Sequence, residues 1–372
     1  MSEPRKKKAP PVEQEVVYHL PSTWGELLGH ERPKKWFEIA LKQNRLASTF
    51  LFVGKDGIGK RTFAKLLAKS LFCKNSNHTS LQFCGHCEAC VQVDASTHPD
   101  LIELGKPADK STIPVDLLIG PPEARMREGL CHDIRLKAFY GGRKVAILDD
   151  ADTLQEEGAN CLLKTLEEPP PGSVLILIGT SEQKQLPTIR SRCQIVRFRE
   201  LMRSQVDSIL HRILPQLPAE EVSDLASCAD GSLSQALLLK DPELRQFRHQ
   251  LYDRLAKCPL DFMELAKAVS GLADAAGKDV GALKRERMKI VFEFGEQFYR
   301  QLLVTMDGKR LGSDDLLQMK AEAAARDYRG GRHGALACWQ RCLTAAEDVD
   351  RFINQATLIE AWAADLAKYS KA

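Results

Sequence analysis

A cluster of cysteines is the first group of residues in this sequence that could do chemistry. Cys84, Cys87 and Cys90 follow one another at two-residue gaps, and Cys73 precedes Cys84 by ten intervening residues. A Cys-x-x-Cys turn lets two sulfurs bind one ion while backbone amides stabilise their charge. These four thiols therefore predict a structural zinc site, with redox chemistry as the alternative. Four thiolates leave no open position for water, so the pattern predicts no catalytic zinc.

A glycine-rich segment after an apolar run is the second such group. Residues 50–53 read FLFV, residues 54–60 read GKDGIGK, and a helical pattern follows. A strand, a glycine-rich loop and a helix in this order are typical of a P-loop, in which backbone amides turn toward phosphates and the lysine reaches the β and γ positions. The predicted nucleotide-binding residues are Gly54, Gly57, Gly59, Lys60, Arg61 and Thr62.

The residue after the loop lysine departs from the P-loop pattern. A P-loop has Ser or Thr there, and its hydroxyl ligates Mg²⁺, whereas this sequence has Arg61. Arginine carries hydrogen-bond donors only and cannot be a metal ligand. Thr62 follows, but the next residue of a helix lies about 100° around the axis, so its hydroxyl is not expected to replace the missing ligand. The sequence predicts a site for ATP at which Mg²⁺-assisted hydrolysis is impaired.

Two acids follow a second apolar run, at residues 144–148. Asp149 and Asp150 stand where a Walker B segment has one acid that holds the magnesium shell and another that orients the attacking water. The alternative is that they cap the next helix, since Asp is favoured at helix N-termini. Their position downstream of the P-loop favours the Walker B interpretation.

The elements that must position these residues form three segments. Apolar runs at residues 50–54, 144–149 and 174–179 alternate with helical patterns and predict buried parallel strands. Residues 201–241 read as short helices, and residues 242–372 are helical in period almost throughout. We therefore predict a flexible basic tail at 1–20, an α/β domain at 21–200 with the zinc module at 73–90, a helical lid at 201–241 and a helical domain at 242–372.

Composition limits the class of protein. The 372 residues are 44% hydrophobic and 28% charged, with a formal net charge of +3, which is typical of a globular protein and leaves DNA binding open. No apolar run approaches the 18 or so residues of a membrane span. The basic N-terminal residues lead into no apolar signal segment. We expect a cytoplasmic protein with no membrane partner, whose other seven cysteines are small core residues.

Five features in a fixed order resemble the bacterial clamp-loader family, which comprises the tau/gamma and delta-prime subunits of DNA polymerase III. They are the P-loop, the cysteine cluster after its helix, DDAD at 149–152, NCLLKTLEEPP at 160–170 and SRC at 191–193. The resemblance covers residues 20–240 well and the rest loosely. It implies an α/β AAA+ P-loop module, a parallel sheet with helices on both faces, with a zinc-binding insertion, a small helical lid and a C-terminal all-α collar domain.

The resemblance also implies roles for single residues. The arginine of the Ser-Arg-Cys segment, here Arg192, would act in trans on ATP bound by a neighbouring subunit. Thr180 stands near the sensor-1 position. AAA+ ATPases usually have Glu where this chain has Asp150, one methylene shorter, and family members that hydrolyse ATP have a sensor-2 arginine where this chain has Ser234. Together with Arg61, these departures predict a weak or inactive ATPase.

The expected function is therefore that of a delta-prime-type clamp-loader subunit. Such a subunit donates an arginine finger in a hetero-pentameric ring with tau/gamma and delta, and the ring loads the sliding clamp on primed DNA. A label of DNA-directed DNA polymerase would come only through the holoenzyme. The alternatives are an active tau/gamma-type ATPase and a zinc AAA+ repair or remodelling ATPase.

Overall fold

The computed structural model describes residues 21–107, 110–275, 281–350 and 354–371. The predicted basic tail at 1–20 and residues 351–353 of the predicted C-terminal helical pattern lie outside these described residues. Within the described part, no helix combines the length and the apolar character that crossing a bilayer requires.

A five-stranded parallel sheet is the centre of the N-terminal part. Its strands are β1 (Thr49–Val53), β2 (Leu101–Leu104), β3 (Lys144–Leu148), β4 (Ser173–Gly179) and β5 (Gln194–Arg197). Their spatial order is β2-β3-β4-β1-β5, and every neighbouring pair is parallel. The carboxyl ends of β1 and β3, which the P-loop and the two acids follow, therefore lie at the same edge of the sheet.

The three fully buried strands are the ones that the apolar runs predict. Every residue of β1, β3 and β4 is buried, as continuous apolar runs in a parallel sheet require. These three strands confirm the predicted ones. The two edge strands are four residues long and only partly buried, so their mixed sequences, LIEL and QIVR, carry no comparable signal.

Helices cover both faces of this sheet. In chain order they are α1 (Glu31–Lys42), α2 (Lys60–Phe72), α3 (Glu88–Asp94), α4 (Val115–Ile119), α5 (Leu130–Asp133), α6 (Glu156–Glu167) and α7 (Pro187–Arg190). Phe52 of β1 packs in one core with Phe63 of α2, whereas the adjacent Leu51 packs in another with Leu162 of α6. Successive strand residues point to opposite faces, so the sheet has a core on each side, as predicted.

The rest of the described chain is mostly helical, also as predicted. Three short helices come first, in the segment predicted as the lid: α8 (Arg203–Ile213), α9 (Ala219–Cys228) and α10 (Leu233–Leu238). Six more follow: α11 (Pro242–Leu255), α12 (Phe262–Asp274), α13 (Gly281–Met306), α14 (Asp315–Asp327), α15 (Gly331–Asp350) and α16 (Gln355–Lys371). Their apolar faces share one core, which includes Leu210 of α8 and Trp362 of α16.

Side-chain caps mark where several of these helices begin. Ser232 accepts a hydrogen bond from the backbone N–H of Gln235 at the start of α10, and Asp241 accepts one from Glu243 at the start of α11. Asp314 caps α14 in the same way. Each cap satisfies a backbone donor that a helix start leaves without an intrahelical partner.

Candidate nucleotide site and cysteine centre

The loop between β1 and α2 has the backbone of a phosphate-binding loop. Gly57 and Gly59 have φ angles of 70° and 97°, in the left-handed region that favours glycine. Lys60 begins α2 and is only 6% exposed. Its Nζ donates to the carbonyl oxygens of Gly54 and Lys55, both at 2.7 Å. Burial lowers the pKa of Lys60 although Asp56 and other acids nearby raise it.

The short helix α10 lies directly against this loop. The backbone N–H of Leu233 donates to the carbonyl of Gly57 at 3.0 Å. A Cβ atom on Gly57 would lie 2.4 Å from Oγ of Ser234, closer than packed atoms come. Ser234 is the predicted sensor-2 position, so the structure brings this position to the loop but with a hydroxyl in place of a guanidinium.

A cavity of about 280 Å³ lies between the loop and the lid helices. Its polar lining comprises Asp56, Gly57, Gly59, Lys60, Arg61, Thr62, Asp149, Arg212 and Ser234. Its apolar lining comprises Pro21, Ile178, Ile209, Ile213, Leu233 and Leu237. A polar end that includes a P-loop and an apolar wall suit the phosphates and the base of a nucleotide.

Arg61 occupies the neighbourhood in which a P-loop protein holds its metal. Its Nη1 lies 3.8 Å from Oδ2 of Asp149, and its Nη2 donates to Oε1 of Glu103 at 3.3 Å. The side chain of Arg61 is 58% exposed. Burial and the neighbouring Asp150 raise the pKa of Asp149 above its ordinary value overall, although Arg61 and Lys60 lower it. The guanidinium therefore pairs with the carboxylate that would otherwise face Mg²⁺, so these residues do not fit a magnesium site.

The two acids after β3 are placed differently. Asp149 lines the cavity, and its Oδ1 accepts a hydrogen bond from the backbone N–H of Asp150 at 3.1 Å. Asp150 is exposed and has a left-handed backbone, with φ 54° and ψ 34°. The short 3₁₀ turn Ala151–Thr153 follows it. Asp150 stands at the N-terminus of this turn, but its side chain makes no capping hydrogen bond there, so the capping alternative gains no support.

Thr180 is turned toward a different neighbour. Its hydroxyl and its backbone N–H both donate to Oδ2 of Asp152, the latter at 2.7 Å. Gln185 donates to the other oxygen of the same carboxylate. Thr180 lines a separate open cleft of about 670 Å³ between the P-loop, the lid and α13. The structure therefore places the predicted sensor-1 hydroxyl in this cleft, bonded to Asp152, and not in the lining of the P-loop cavity.

Arg192 lies at the amino ends of the strands, which form the amino edge of the sheet. The cavity lies at the carboxyl ends, which form the carboxyl edge. The hydroxyl of Thr49, at the start of β1, donates to its carbonyl at 2.8 Å, whereas the P-loop follows the other end of β1. The Arg192 guanidinium donates to Glu167 through Nε at 2.7 Å and to the carbonyl of Thr188 at 2.9 Å. With a side-chain exposure of 31%, Arg192 is held in place yet open to solvent.

One carboxylate joins the P-loop, the lid and the C-terminal helices. Asp230, just before α10, accepts hydrogen bonds at 2.6 Å from Nζ of Lys55 and from Nη2 of Arg300 on α13. Burial raises the pKa of Asp230, but these two cations lower it below its ordinary value overall. A three-residue ionic contact thus joins the P-loop, the residue before α10 and α13.

The four predicted metal ligands are brought together. The ligand atoms of Cys73, Cys84, Cys87 and Cys90 all lie within 4.8 Å of one another, and Sγ of Cys73 is 3.7 Å from Sγ of Cys84. Four sulfurs about 2.3 Å from a tetrahedral zinc ion are about 3.8 Å apart. Cys73 directly follows α2, and Cys87 precedes α3, so the cluster closes the segment between these helices.

Backbone amides point at the sulfurs, as thiolate ligands require. The backbone N–H of Cys84 donates to Sγ of Cys73, and that of Cys87 donates to Sγ of Cys84, both at 3.3 Å. Desolvation raises the pKa of Cys84, but hydrogen bonds from the backbone of His86 and Cys87 lower it to about 6 overall. Burial raises the pKa of Cys90. The donor set fits zinc, which would supply a structural cross-link here.

The cysteine module is connected to the helix that carries the P-loop lysine. Lys69 of α2 is 2% exposed, and its Nζ donates to Oδ2 of Asp94 at 2.5 Å and to the carbonyl of Ser22 at 3.1 Å. Ser70 donates to the carbonyl of Leu81 at 2.6 Å. The module therefore packs onto the face of α2 that also holds the segment before α1.

Several residues of these sites carry no sequence signal. Arg212 lines the cavity from α8, and Glu103 of β2 pairs with Arg61. Both lie far from the motifs in sequence and only the fold brings them in. Glu167 lies inside the NCLLKTLEEPP segment at 160–170, one of the five motifs. The motif does not indicate that Glu167 contacts Arg192.

Comparisons with known proteins agree with the resemblance read from the sequence. Residues 29–202, just under half of the chain, match a family described as DNA polymerase III, delta subunit. The chain is 31% identical over 248 residues to the DNA polymerase III subunit tau/gamma of Haemophilus influenzae, a match that covers 66% of this chain and 34% of that protein. It is 35% identical over 213 residues to the DNA polymerase III subunit delta' of Pseudomonas aeruginosa, covering 57% and 61%.

The matched part thus spans about a third to three fifths of the length of these relatives. Among solved structures, the chain resembles a DNA polymerase III gamma subunit-related protein of Thermotoga maritima at 14% identity and a TM-score of 0.36, covering 91% of this chain and 99% of that one. It resembles a RuvB variant of the same organism at 15% identity and a TM-score of 0.39, covering 80% and 83%.

Proposed function

We propose, on the premise that these matches support the clamp-loader family of DNA polymerase III, that the chain acts as a delta-prime-type subunit. In this role it assembles with tau/gamma and delta subunits in a hetero-pentameric ring that loads the sliding clamp on primed DNA. It donates Arg192 to ATP bound by a neighbour and hydrolyses ATP weakly or not at all. The contrast between its two functional arginines, at opposite edges of one sheet, carries the proposal.

The position of Arg192 supports a role in trans. Thr49, which contacts its backbone, is four residues before Val53 along β1, and a strand rises about 3.3 Å per residue. The Arg192 backbone is therefore about 13 Å from the end of β1 at which the chain's own P-loop begins. A guanidinium aimed away from its own cavity can stabilise charge on the γ-phosphate only at another subunit.

The chain's own cavity supports weak turnover. Arg61 pairs with Asp149 where a hydroxyl and Mg²⁺ would be expected, Asp150 is exposed, and Ser234 offers no cation next to the loop. Charge stabilisation at developing phosphate oxygens is commonly the largest single contribution to catalysis. A site that lacks the metal ligand and the sensor-2 cation together lacks two of the groups that would supply that stabilisation.

A tau/gamma-type ATPase is the second candidate, because Lys60 and the loop glycines are intact and the H. influenzae match covers 66% of this chain. Steady-state ATPase assays of the purified chain, alone and mixed with tau/gamma and delta subunits, clamp and primed DNA, separate the two. We expect no appreciable hydrolysis by the chain alone and stimulation in the mixture. Strong hydrolysis by the chain alone that requires Lys60 would favour the tau/gamma-type ATPase. Failure to associate with these partners would favour a zinc AAA+ ATPase that acts outside replication.

Arg192→Ala tests the role in trans within the same assay. We expect stimulated hydrolysis at the affected site to fall by 100-fold or more, since an arginine finger contributes about 10³- to 10⁵-fold in other NTPases. Assembly, followed by gel filtration, should be unchanged. Arg190→Ala is the matched control, because Arg190 is an exposed arginine two residues away. Normal turnover with Arg192→Ala would remove the role.

A further inference from the structure

The cavity at the P-loop combines a complete phosphate-binding backbone with a guanidinium in place of a metal ligand. Gly57 and Gly59 have the left-handed φ angles that suit such a loop, and Lys60 follows as the first residue of α2. Arg61, one residue on, lies 3.8 Å from Asp149 and 3.3 Å from Glu103. A divalent cation entering between Asp149 and a phosphate would meet the like charge of this guanidinium, and arginine has no lone pair to offer it.

We propose that this cavity binds a nucleoside diphosphate or triphosphate without a divalent cation, with the Arg61 guanidinium in the role of the metal. This inference rests on the proposed function, in which the chain is a nucleotide-site subunit with weak turnover. It adds that the ligand is a nucleotide without a metal ion and that Arg61 recognises it.

The geometry supplies each contact that such a ligand needs. Arg61 has five N–H donors on a planar fork that suits phosphate oxygens, and 58% of its side chain is exposed. Lys60 exchanges its two carbonyl contacts for phosphate oxygens. The apolar wall formed by Ile178, Ile209 and Leu237 receives the base. Glu103 and Asp149 both pair with the guanidinium, so its charge is already in place when the nucleotide arrives.

Calorimetric titration of the purified full chain with ADP and with ATP, in excess EDTA and in excess Mg²⁺, tests this proposal. We expect the dissociation constants in the two conditions to agree within about threefold. Arg61→Ser should weaken binding in EDTA by about tenfold or more, because it removes charge-assisted hydrogen bonds. Mg²⁺ should restore part of that loss in the variant, since serine returns the hydroxyl ligand.

Lys65→Ser is the matched control. Lys65 lies one turn further along α2, pairs with the same Glu103 at 3.3 Å and is outside the cavity lining. It should leave both dissociation constants unchanged, and thermal unfolding of both variants checks that they are folded. Binding of the wild-type chain that strengthens tenfold or more with Mg²⁺, or no binding in EDTA, would overturn the proposal. Neither result touches the role of Arg192, which is read out in the mixed complex.

Discussion

The two edges of the central sheet hold two arginines in different surroundings. At the carboxyl edge, Arg61 lies between Glu103 and Asp149 and beside the cavity of its own chain. At the amino edge, Arg192 is bound to one carboxylate, Glu167, and otherwise to the carbonyl and hydroxyl oxygens of its own loop. Both side chains are partly exposed, but only the first has its charge shared by two acids.

On the proposed function, this difference would separate nucleotide binding from catalysis within one fold. A guanidinium that lines a cavity and pairs with Asp149 and Glu103 changes what that cavity can bind. A guanidinium held by a single carboxylate at a surface can exchange that partner for an external phosphate at little cost, because exposed ion pairs contribute only about 0.2–1 kcal/mol. Each variant below should affect either the P-loop site and the lid or the function of Arg192, but not both.

Removal of the cysteine cross-link should have the largest effect, transmitted along α2 to the P-loop at its other end. We expect Cys87→Ser to lose bound zinc and to unfold the segment between α2 and α3 locally, since structural zinc contributes about 10–16 kcal/mol of apparent binding free energy in zinc-finger peptides. Lys69 connects this module to α2 through Asp94. Nucleotide binding should therefore weaken, while stimulation that requires Arg192 persists in any complex that still assembles.

Zinc content by mass spectrometry and limited proteolysis of residues 73–98 measure this effect. Cys161→Ser is the control, because Cys161 is a half-buried thiol outside the cluster. Full metal content together with unchanged proteolysis in Cys87→Ser would refute the zinc assignment.

Asp230→Asn should have an intermediate effect at the carboxyl edge. Its carboxylate accepts from Lys55 and Arg300, and removing its charge leaves both cations without their shared partner. We expect a loss of about 2 kcal/mol in the free energy of unfolding, given the range for hydrogen bonds to charged groups. Urea unfolding measures it, with the exposed Asp224→Asn as the control. Equal midpoints for the two variants would show that the contact does not hold the lid.

The pH dependence of this contribution has a definite sign. The folded pKa of Asp230 is lowered by Lys55 and Arg300, and the unfolded value is about 3.9. The stabilisation is fully present above that unfolded pKa and is lost as pH falls through the lowered folded pKa. Asp230→Asn should therefore lose stability at neutral pH and show a shallower acid limb than the wild-type chain.

The sequence predicted those parts of the molecule in which local pattern and final position coincide. The buried strands β1, β3 and β4 are continuous apolar runs, and the four cysteines all lie within the short segment 73–90. The contacts of Arg61 and Arg192 could not be predicted, because Glu103 and Glu167 reach them only through strand pairing and helix packing. Thr180 differs, because its position after β4 suggested a contact with phosphate or water. Its hydroxyl instead donates to Asp152, which the sequence pattern did not indicate.

Glu167→Gln should have the smallest effect, and only at the amino edge. Glu167 holds the Arg192 guanidinium in one orientation at the surface, and a neutral amide retains the shape without the charge. Because an exposed pair contributes at most about 1 kcal/mol, we expect Arg192-dependent ATPase in the mixed complex to fall by about two- to fivefold. Nucleotide binding by the chain alone should not change. Glu168→Gln is the control, because Glu168 is its exposed neighbour. A rise in turnover with Glu167→Gln would mean that the carboxylate competes with the neighbour's phosphate for the guanidinium, and the amino edge would then restrain its arginine instead of presenting it.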